Sequence, residues 1–338
     1  MPVKTPNFWF KPVATTQARL LYPLSLLYGL AGKLRRMMVP AIDCPVPLIV
    51  AGNAVVGGSG KTPLVIYLVQ KLKRLHPDLK ITLIGKGYGG REVGPLRVDP
   101  ARHSADEVGD EALMLAQLAP TFIGRDRGKT YKAAVAAGAQ LVISDDGLQN
   151  PALDKAALRF LVIGSRRGIG NGLLLPAGPL RESISEAASR AHAIIQVGGE
   201  IVRNWTGQST GSLPVFHAHF VQDHPDWLHD MQVVAFCGLG DPERFFFALK
   251  DAGAKLQAAL VYPDHHPYTT ADLAQLERAA FRHNATLITT AKDAVRLPKD
   301  WIAARSNKLR VLDGQLGFVD ENAFLSLLYT AIPSLKPN

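Results

Sequence analysis

Val55–Val56–Gly57–Gly58–Ser59–Gly60–Lys61–Thr62 stands between an apolar run at 46–51 and a helix-like stretch at 63–69. Three glycines let the backbone fold tightly enough to aim several N–H groups at one point, and the following helix adds the positive end of its dipole there. Lys61 can reach a β- or γ-phosphate, and the Thr62 hydroxyl suits a magnesium ion. The spacing departs from G-x-x-x-x-G-K-[ST], because Val55 stands where the first glycine would fall. The doubled glycine at 57 and 58 takes over part of that role. A ligand-free Gly-rich turn would account for the glycines alone. It would not account for strand, turn, Gly-Lys-Thr and helix in that order, with Pro63 just inside the helix, where a proline loses no hydrogen bond. The stretch reads as a nucleoside-triphosphate cradle, with Gly57, Gly58, Ser59, Gly60, Lys61 and Thr62 around the phosphates.

Outward from this point, short apolar runs alternate with amphipathic stretches, as a parallel sheet covered by helices requires. Strands are expected at 48–51, 81–85, 121–123, 141–144, 160–163 and 194–197, and helices at 64–75, 110–118 and 129–137. Residues 201–215, with Trp205 and many Gly, Ser and Thr, read as a linker. A second cycle follows, with a strand at 233–236, a turn at 238–240, a helix at 242–252 and strands at 287–290 and 309–312. Gly238-x-Gly240 lacks the third glycine of a dinucleotide fingerprint. The expected class is α/β: a P-loop NTPase-like parallel-sheet domain over 41–205, a smaller α/β domain over 206–338 closing the active-site cleft, and a membrane-associated N-terminal helix within 1–40.

With 338 residues the chain is long enough for two cores. Lys and Arg total 38 against 29 Asp and Glu, a net charge of +9 that favours phosphates, nucleic acid or an anionic membrane. The basic residues are scattered among glycine turns rather than gathered on one helix or interleaved with aromatics, so nucleic acid is not an expected partner. Two distant cysteines, Cys44 and Cys237, form neither a disulfide framework nor a zinc motif, and fit a reducing cytosol. Residues 20–31 are apolar and are followed by Lys33, Arg35 and Arg36. That run falls short of the roughly 20 residues of a spanning helix, and no signal-peptide cleavage site follows it. A helix lying in the membrane interface, with Tyr22 and Tyr28 at headgroup level, and a helix packed on the core both remain open. The aromatic and basic flanks favour the membrane.

Several side chains in loops carry candidate chemistry. Asp145 and Asp146 end an apolar run and precede Gly147. An Asp-Gly turn is common there, but paired carboxylates beside a phosphate cradle favour a hard divalent cation. Arg91, Arg125, Arg127, Arg166, Arg167 and Arg181 fall in loops after strands or glycine runs, where guanidinium groups can converge on phosphates. Asp110, after Gly109, and the pair His265–His266, after Asp264, could supply a base oriented by an imidazole. Asp110 could equally cap the helix that follows.

Taken together, GNAVVGGSGKTP (52–63), GKGYGGR (85–91), VGDEALML (108–115), GRDR (124–127), DDGLQ (145–149), GNGLLLPAGPLRE (170–182), FCGLGDPERFF (236–246), YPDHHPY (262–268) and TTAKDAVRL (289–297) resemble the tetraacyldisaccharide 4′-kinase family. The resemblance runs in order over nearly the whole chain. It implies transfer of the γ-phosphate of ATP to the 4′-hydroxyl of an acylated disaccharide 1-phosphate in lipid A biosynthesis. It also implies work at the cytoplasmic face of the inner membrane, where a basic protein meets an anionic lipid. It implies magnesium (Mg2+) on Thr62, Asp145 and Asp146, with Glu182 a further metal-side group. Asp110 becomes the catalytic base with His265, or His266, as partner. Arg125 and Arg181 contact phosphate beside Lys61, and Tyr88 and Arg91 approach the disaccharide. Lys86 stands where the family often has arginine, and Leu148 and Asn150 depart from it around Gln149. Two rival readings are a P-loop phosphotransferase or GTPase acting on a soluble substrate, and a membrane-bound nucleotide sensor without chemistry.

Overall fold

The computed structural model describes residues 6–336, apart from 12–13, 58–59, 166–167, 199–209, 222–225, 240–241 and 313. Gly58, Ser59, Arg166, Arg167 and most of the expected linker therefore lie outside the described residues.

Among the described residues the strands are β1 (Leu48–Gly52), β2 (Ile81–Gly85), β3 (Leu96–Arg97), β4 (Thr121–Ile123), β5 (Leu141–Asp145), β6 (Leu158–Gly164), β7 (Ala193–Val197), β8 (Val215–Val221), β9 (Gln232–Cys237), β10 (Lys255–Val261), β11 (Thr286–Thr289), β12 (Leu309–Val311) and β13 (Gln315–Phe318). The helices are α1 (Thr16–Met38), α2 (Lys61–Leu75), α3 (Ala105–Val108), α4 (Asp110–Ala116), α5 (Arg127–Ala136), α6 (Ile184–Ala188), α7 (Pro242–Asp251), α8 (Thr270–His283), α9 (Ala291–Ala294), α10 (Lys299–Ala303) and α11 (Glu321–Ala331).

Nine strands form one sheet, in the order β13-β8-β7-β6-β1-β5-β2-β4-β3, and four form a second, β10-β9-β11-β12. The second sheet is wholly parallel, and in the first only the outermost pairs, β13 with β8 and β3 with β4, run antiparallel. β1, β2, β5 and β7 are buried from end to end, as strands covered on both faces must be. Side chains alternate between the faces: Ile49 and Ala51 pack with Leu64, Leu68 and Leu72 of α2, while Leu48 and Val50 pack with Tyr131 and Ala134 of α5. In the smaller sheet, Phe245 and Leu249 of α7 cover one face, and Leu273 and Leu276 of α8 cover the other.

The chain after residue 206 does not stay with the smaller sheet. β8 pairs with β7 of the larger one, β13 pairs with β8, and α11 packs on the larger core. The smaller sheet thus draws its strands from 232–311 rather than from the whole of 206–338. β8 reads VFHAHFV, with histidines that hide an otherwise strand-like alternation. The return is held by Phe324, stacked on Phe318 at 4.0 Å between ring centres. Tyr67 Oη and Lys71 Nζ of α2 donate to Glu321 at 2.7 and 2.6 Å.

α1 contains no stretch apolar and long enough to cross a membrane, and among the described residues no helix does. Its Ser25 hydroxyl donates to the Leu174 carbonyl at 2.8 Å and accepts from Ala177 N–H at 3.1 Å. Lys33 and Arg36 pair with Glu186 and Asp154. The opposite face leaves Leu20, Leu24, Leu27, Leu34 and Met38 exposed at helical spacing. The packed-helix reading holds for one face, and the other face is a bare apolar stripe.

Candidate active site

The cradle begins where β1 ends. Gly60 caps α2 with φ 93°, a left-handed conformation that glycine adopts without steric cost. Asn53, wholly buried, ties the turn together by donating from Nδ2 to the Val55 carbonyl and accepting from Lys61 Nζ at 3.0 Å. The segment 179–181 lies along the outer arm, with Val56 N–H donating to the Pro179 carbonyl and Arg181 N–H to the Ala54 carbonyl. That pairing brings the Arg181 guanidinium to Asp146 at 3.0 Å, with Lys61 Nζ 3.6 Å from the same carboxylate.

Asp145 and Asp146 face different partners because Asp146 itself takes a left-handed φ of 56°. Asp145 Oδ2 accepts from the Thr62 hydroxyl at 3.0 Å. Burial, reinforced by the neighbouring charge of Glu111, pushes Asp145 well above the ordinary carboxylate range. Burial acts on Asp146 in the same direction, but Lys61, Arg181 and Arg127 outweigh it and hold that group below its usual value. Arg127 is 4 % exposed and donates from Nη2 to the backbone carbonyls of Asp145 and Asp146, at 2.9 and 3.3 Å. Burial lowers it to about 10, against the pull of both aspartates. It fixes the loop that carries the two carboxylates. Sequence reasoning placed it among loop arginines facing phosphate.

The expected four-part metal set is not assembled. Glu182 is taken up by Arg190 and by Gln149 Nε2, the latter at 2.9 Å, and Asp146 by Lys61 and Arg181. Among the described residues no group of three or more His, Cys, Asp and Glu is placed to hold a metal ion. Thr62 and Asp145 remain. Asp145 Oδ1 is buried with no hydrogen-bond partner, and a hydroxyl beside an unsatisfied carboxylate oxygen is a donor set that fits a hard cation.

A second cluster joins the two sheets. Asp110 opens α4 on the larger sheet, and its Oδ2 lies 2.7 Å from His265 Nδ1, in the loop before α8. The same oxygen accepts from Arg296 Nε, just past α9, at 2.6 Å. Burial would raise Asp110, but His265 and Arg296 hold it below the usual carboxylate range, so Nδ1 of His265 carries the proton of that bond. Glu111, next along α4, is the neighbouring charge that acts on Asp145. His266 turns away, with Nε2 3.0 Å from Asp272 Oδ2. His265 is the partner, which the sequence left open.

Tyr88 and Arg125 line a cavity of about 280 Å³ with Lys86, Gly87, Gly89, Gly90 and Glu92. Arg91 is exposed and does not line it. Gly109 lets this loop lie against the start of α4, since a Cβ there would fall 2.3 Å from the Tyr88 carbonyl oxygen. The Tyr88 ring centre is 6.2 Å from that of His265.

The sequence profile described as LpxK: Tetraacyldisaccharide-1-P 4'-kinase matches residues 17–333. The chain belongs to the tetraacyldisaccharide 4′-kinase family. A relative named Tetraacyldisaccharide 4'-kinase from Methylorubrum extorquens is 42% identical over 338 residues, 98% of this chain and 99% of that protein. Another of that name from Gluconobacter oxydans is 38% identical, over 98% of this chain and 100% of its own length. A crystal structure of LpxK from Aquifex aeolicus in complex with ATP superposes with a TM-score of 0.71 and 26% identity, covering 93% of this chain and 99% of that one. Membership makes the chain an ATP-using kinase of lipid A biosynthesis. Asn53, Arg127 and Arg296 all fall inside strings that carried the family resemblance, yet nothing in the sequence marks Asn53 or Arg296, and Arg127 stood there as a phosphate-facing arginine. Each acts through a fold-dependent contact.

Proposed function

We propose that the tetraacyldisaccharide 4′-kinase activity of this chain is performed in the cleft between the cradle and the Asp110–His265 pair. The observation that carries the reading is the 2.7 Å contact of His265 Nδ1 with Asp110 Oδ2, made across the two sheets. The cradle serves as a P-loop: Lys61 and the α2 N-terminus take the triphosphate of ATP, and Arg181 stands with Lys61 on Asp146. The Asp110 carboxylate accepts the proton of the acceptor's 4′-hydroxyl as that oxygen forms a bond to the γ-phosphorus. The bond between the γ-phosphorus and the bridging oxygen breaks, and ADP leaves. Lys61 and Arg181, freed from Asp146 by the nucleotide, meet the charge on the transferring group. His265, bonded through Nδ1, keeps Asp110 turned toward the hydroxyl.

A magnesium ion held by Thr62 and Asp145 would neutralise part of the triphosphate charge. The Tyr88–Arg125 cavity adjoins His265 and suits a sugar phosphate, with the ring stacking on a hexose face and the guanidinium pairing an anionic group. The bare stripe of α1 lies in the membrane interface, with Arg35 at the end of the helix toward anionic headgroups. On this reading the cleft works at the cytoplasmic face of the inner membrane, where the acyl chains of the acceptor stay buried.

The test is incubation of purified protein with γ-labelled ATP and tetraacyldisaccharide 1-phosphate in detergent micelles, beside a deacylated acceptor and a chelator control. Label on the acylated acceptor, lost on chelation, supports the reading. Equal transfer to the deacylated sugar would instead support a kinase of soluble substrates.

A further inference from the structure

Two donors meet on one oxygen of Asp110. His265 Nδ1 at 2.7 Å and Arg296 Nε at 2.6 Å both reach Oδ2, and among the described residues no side chain donates to Oδ1. A carboxylate offers about four lone-pair positions over two oxygens. Crowding both donors onto one oxygen leaves the other oxygen open.

Arg296 is not a loose surface arginine. Its side chain is 4% exposed, and Nη1 donates to Asp293 Oδ1 at 3.2 Å. Asp293 is wholly buried and also accepts from Gly238 N–H at 2.8 Å, Tyr268 Oη at 2.9 Å and Thr290 Oγ1 at 2.7 Å. These partners come from the end of β9, the loop before α8 and the start of α9. The guanidinium is therefore clamped by the framework of the smaller sheet while Nε extends to α4 on the larger one. A planar fork can bond both aspartates, whereas a lysine has a single nitrogen.

We infer that Arg296 is a positioning residue for phosphoryl transfer, pinning Asp110 through Oδ2 so that Oδ1 faces the acceptor hydroxyl. The inference rests on Asp110 being the base. The charged groups around Asp110 are Glu111 on its own helix, Glu107 on α3, Asp264 and His265 before α8, and Lys292, Asp293 and Arg296 at α9. Lys292 is engaged by Asp264 at 2.8 Å and Glu107 by Ser104, so Arg296 is the permanent cation in contact with Asp110. Its loss leaves burial less opposed, and the acid limb of the kcat–pH profile moves to higher pH.

The experiment compares wild type, Arg296→Gln, Arg296→Lys and Asp110→Asn for kcat, KM for ATP, the kcat–pH profile and the thermal midpoint. Arg296→Gln is expected to lower kcat on the order of tenfold to a hundredfold with KM for ATP little changed. Its acid limb shifts upward, and Arg296→Lys recovers part of the rate. Wild-type kcat in Arg296→Gln, with Asp110→Asn inactive, would overturn the inference and leave the catalytic reading standing. A loss that merely follows the fraction of folded protein, with an unmoved acid limb and no recovery in the lysine variant, would also overturn it. Near-normal turnover by Asp110→Asn would remove the base itself, and the inference with it.

Discussion

The two walls of the cleft are specified in different ways. On the cradle wall, Lys61 meets Asn53 eight residues away, and the geometry follows from a glycine turn between a buried strand and a helix. On the opposite wall, Asp110 meets His265 across 155 positions and Arg296 across 186, on elements of two different sheets. The first wall is a local property of the backbone. The second exists only when the smaller sheet is docked on the larger. On the proposed reading, nucleotide binding and proton acceptance are built from separable parts, and substitutions in one should leave the other working.

Asp110→Asn sharpens that separation most. It is expected to lower transfer by about 10²–10⁴-fold, with ATP affinity near wild type by equilibrium binding. Lys61→Ala should fail in the other way, costing about 10²–10³-fold in turnover and weakening ATP binding in the same titration. Smaller in scale is the proposed membrane contact. Leu24→Gln with Leu27→Gln removes two exposed leucines from the α1 stripe, each worth about 2 kcal/mol when buried. Sedimentation with anionic vesicles should show at least tenfold weaker binding, with nucleotide affinity unchanged.

Tyr67→Phe probes the larger sheet far from the base. It removes the hydrogen bond to Glu321 that fastens α11 to α2 and should lower stability by about 1 kcal/mol, read as a modest fall in thermal midpoint with kcat preserved. The smallest effect is electrostatic. Because the folded protein holds Asp110 below its ordinary value, the ionised group adds stability above the unfolded pKa, and that contribution is lost as pH falls through the folded one. The difference in thermal midpoint between wild type and Asp110→Asn should therefore shrink below about pH 4.

The same contrast explains what could be read from the sequence. The strands at 81–85 and 121–123 are found at the expected residues, because doubly covered strands are continuous apolar runs bounded by turn residues. The glycine turn and the Asp145–Asp146 pair stood out in the sequence because each is a run of adjacent residues. β10, with its alternating KLQAALV, and the return of β13 and α11 to the larger sheet were not. Which sheet an edge segment joins is decided by tertiary packing, here the aromatic contacts of Phe318 and Phe324. Asp110 and the pair His265–His266 were open candidates on residue type, raised above a helix cap and a turn only by the family resemblance, and Arg296 was not named at all. A guanidinium buried between two carboxylates has no signature until the chain is folded. Glu182 shows the reverse: a carboxylate in a promising string that the fold commits to Arg190 and Gln149.

The most direct test of a site assembled from two walls is a single-turnover measurement on His265→Ala preloaded with γ-labelled ATP and mixed with tetraacyldisaccharide 1-phosphate. ATP binding equal to wild type, with transfer slowed by an order of magnitude or more, is the predicted result. Transfer at the wild-type rate, or a parallel loss of ATP binding, would contradict it.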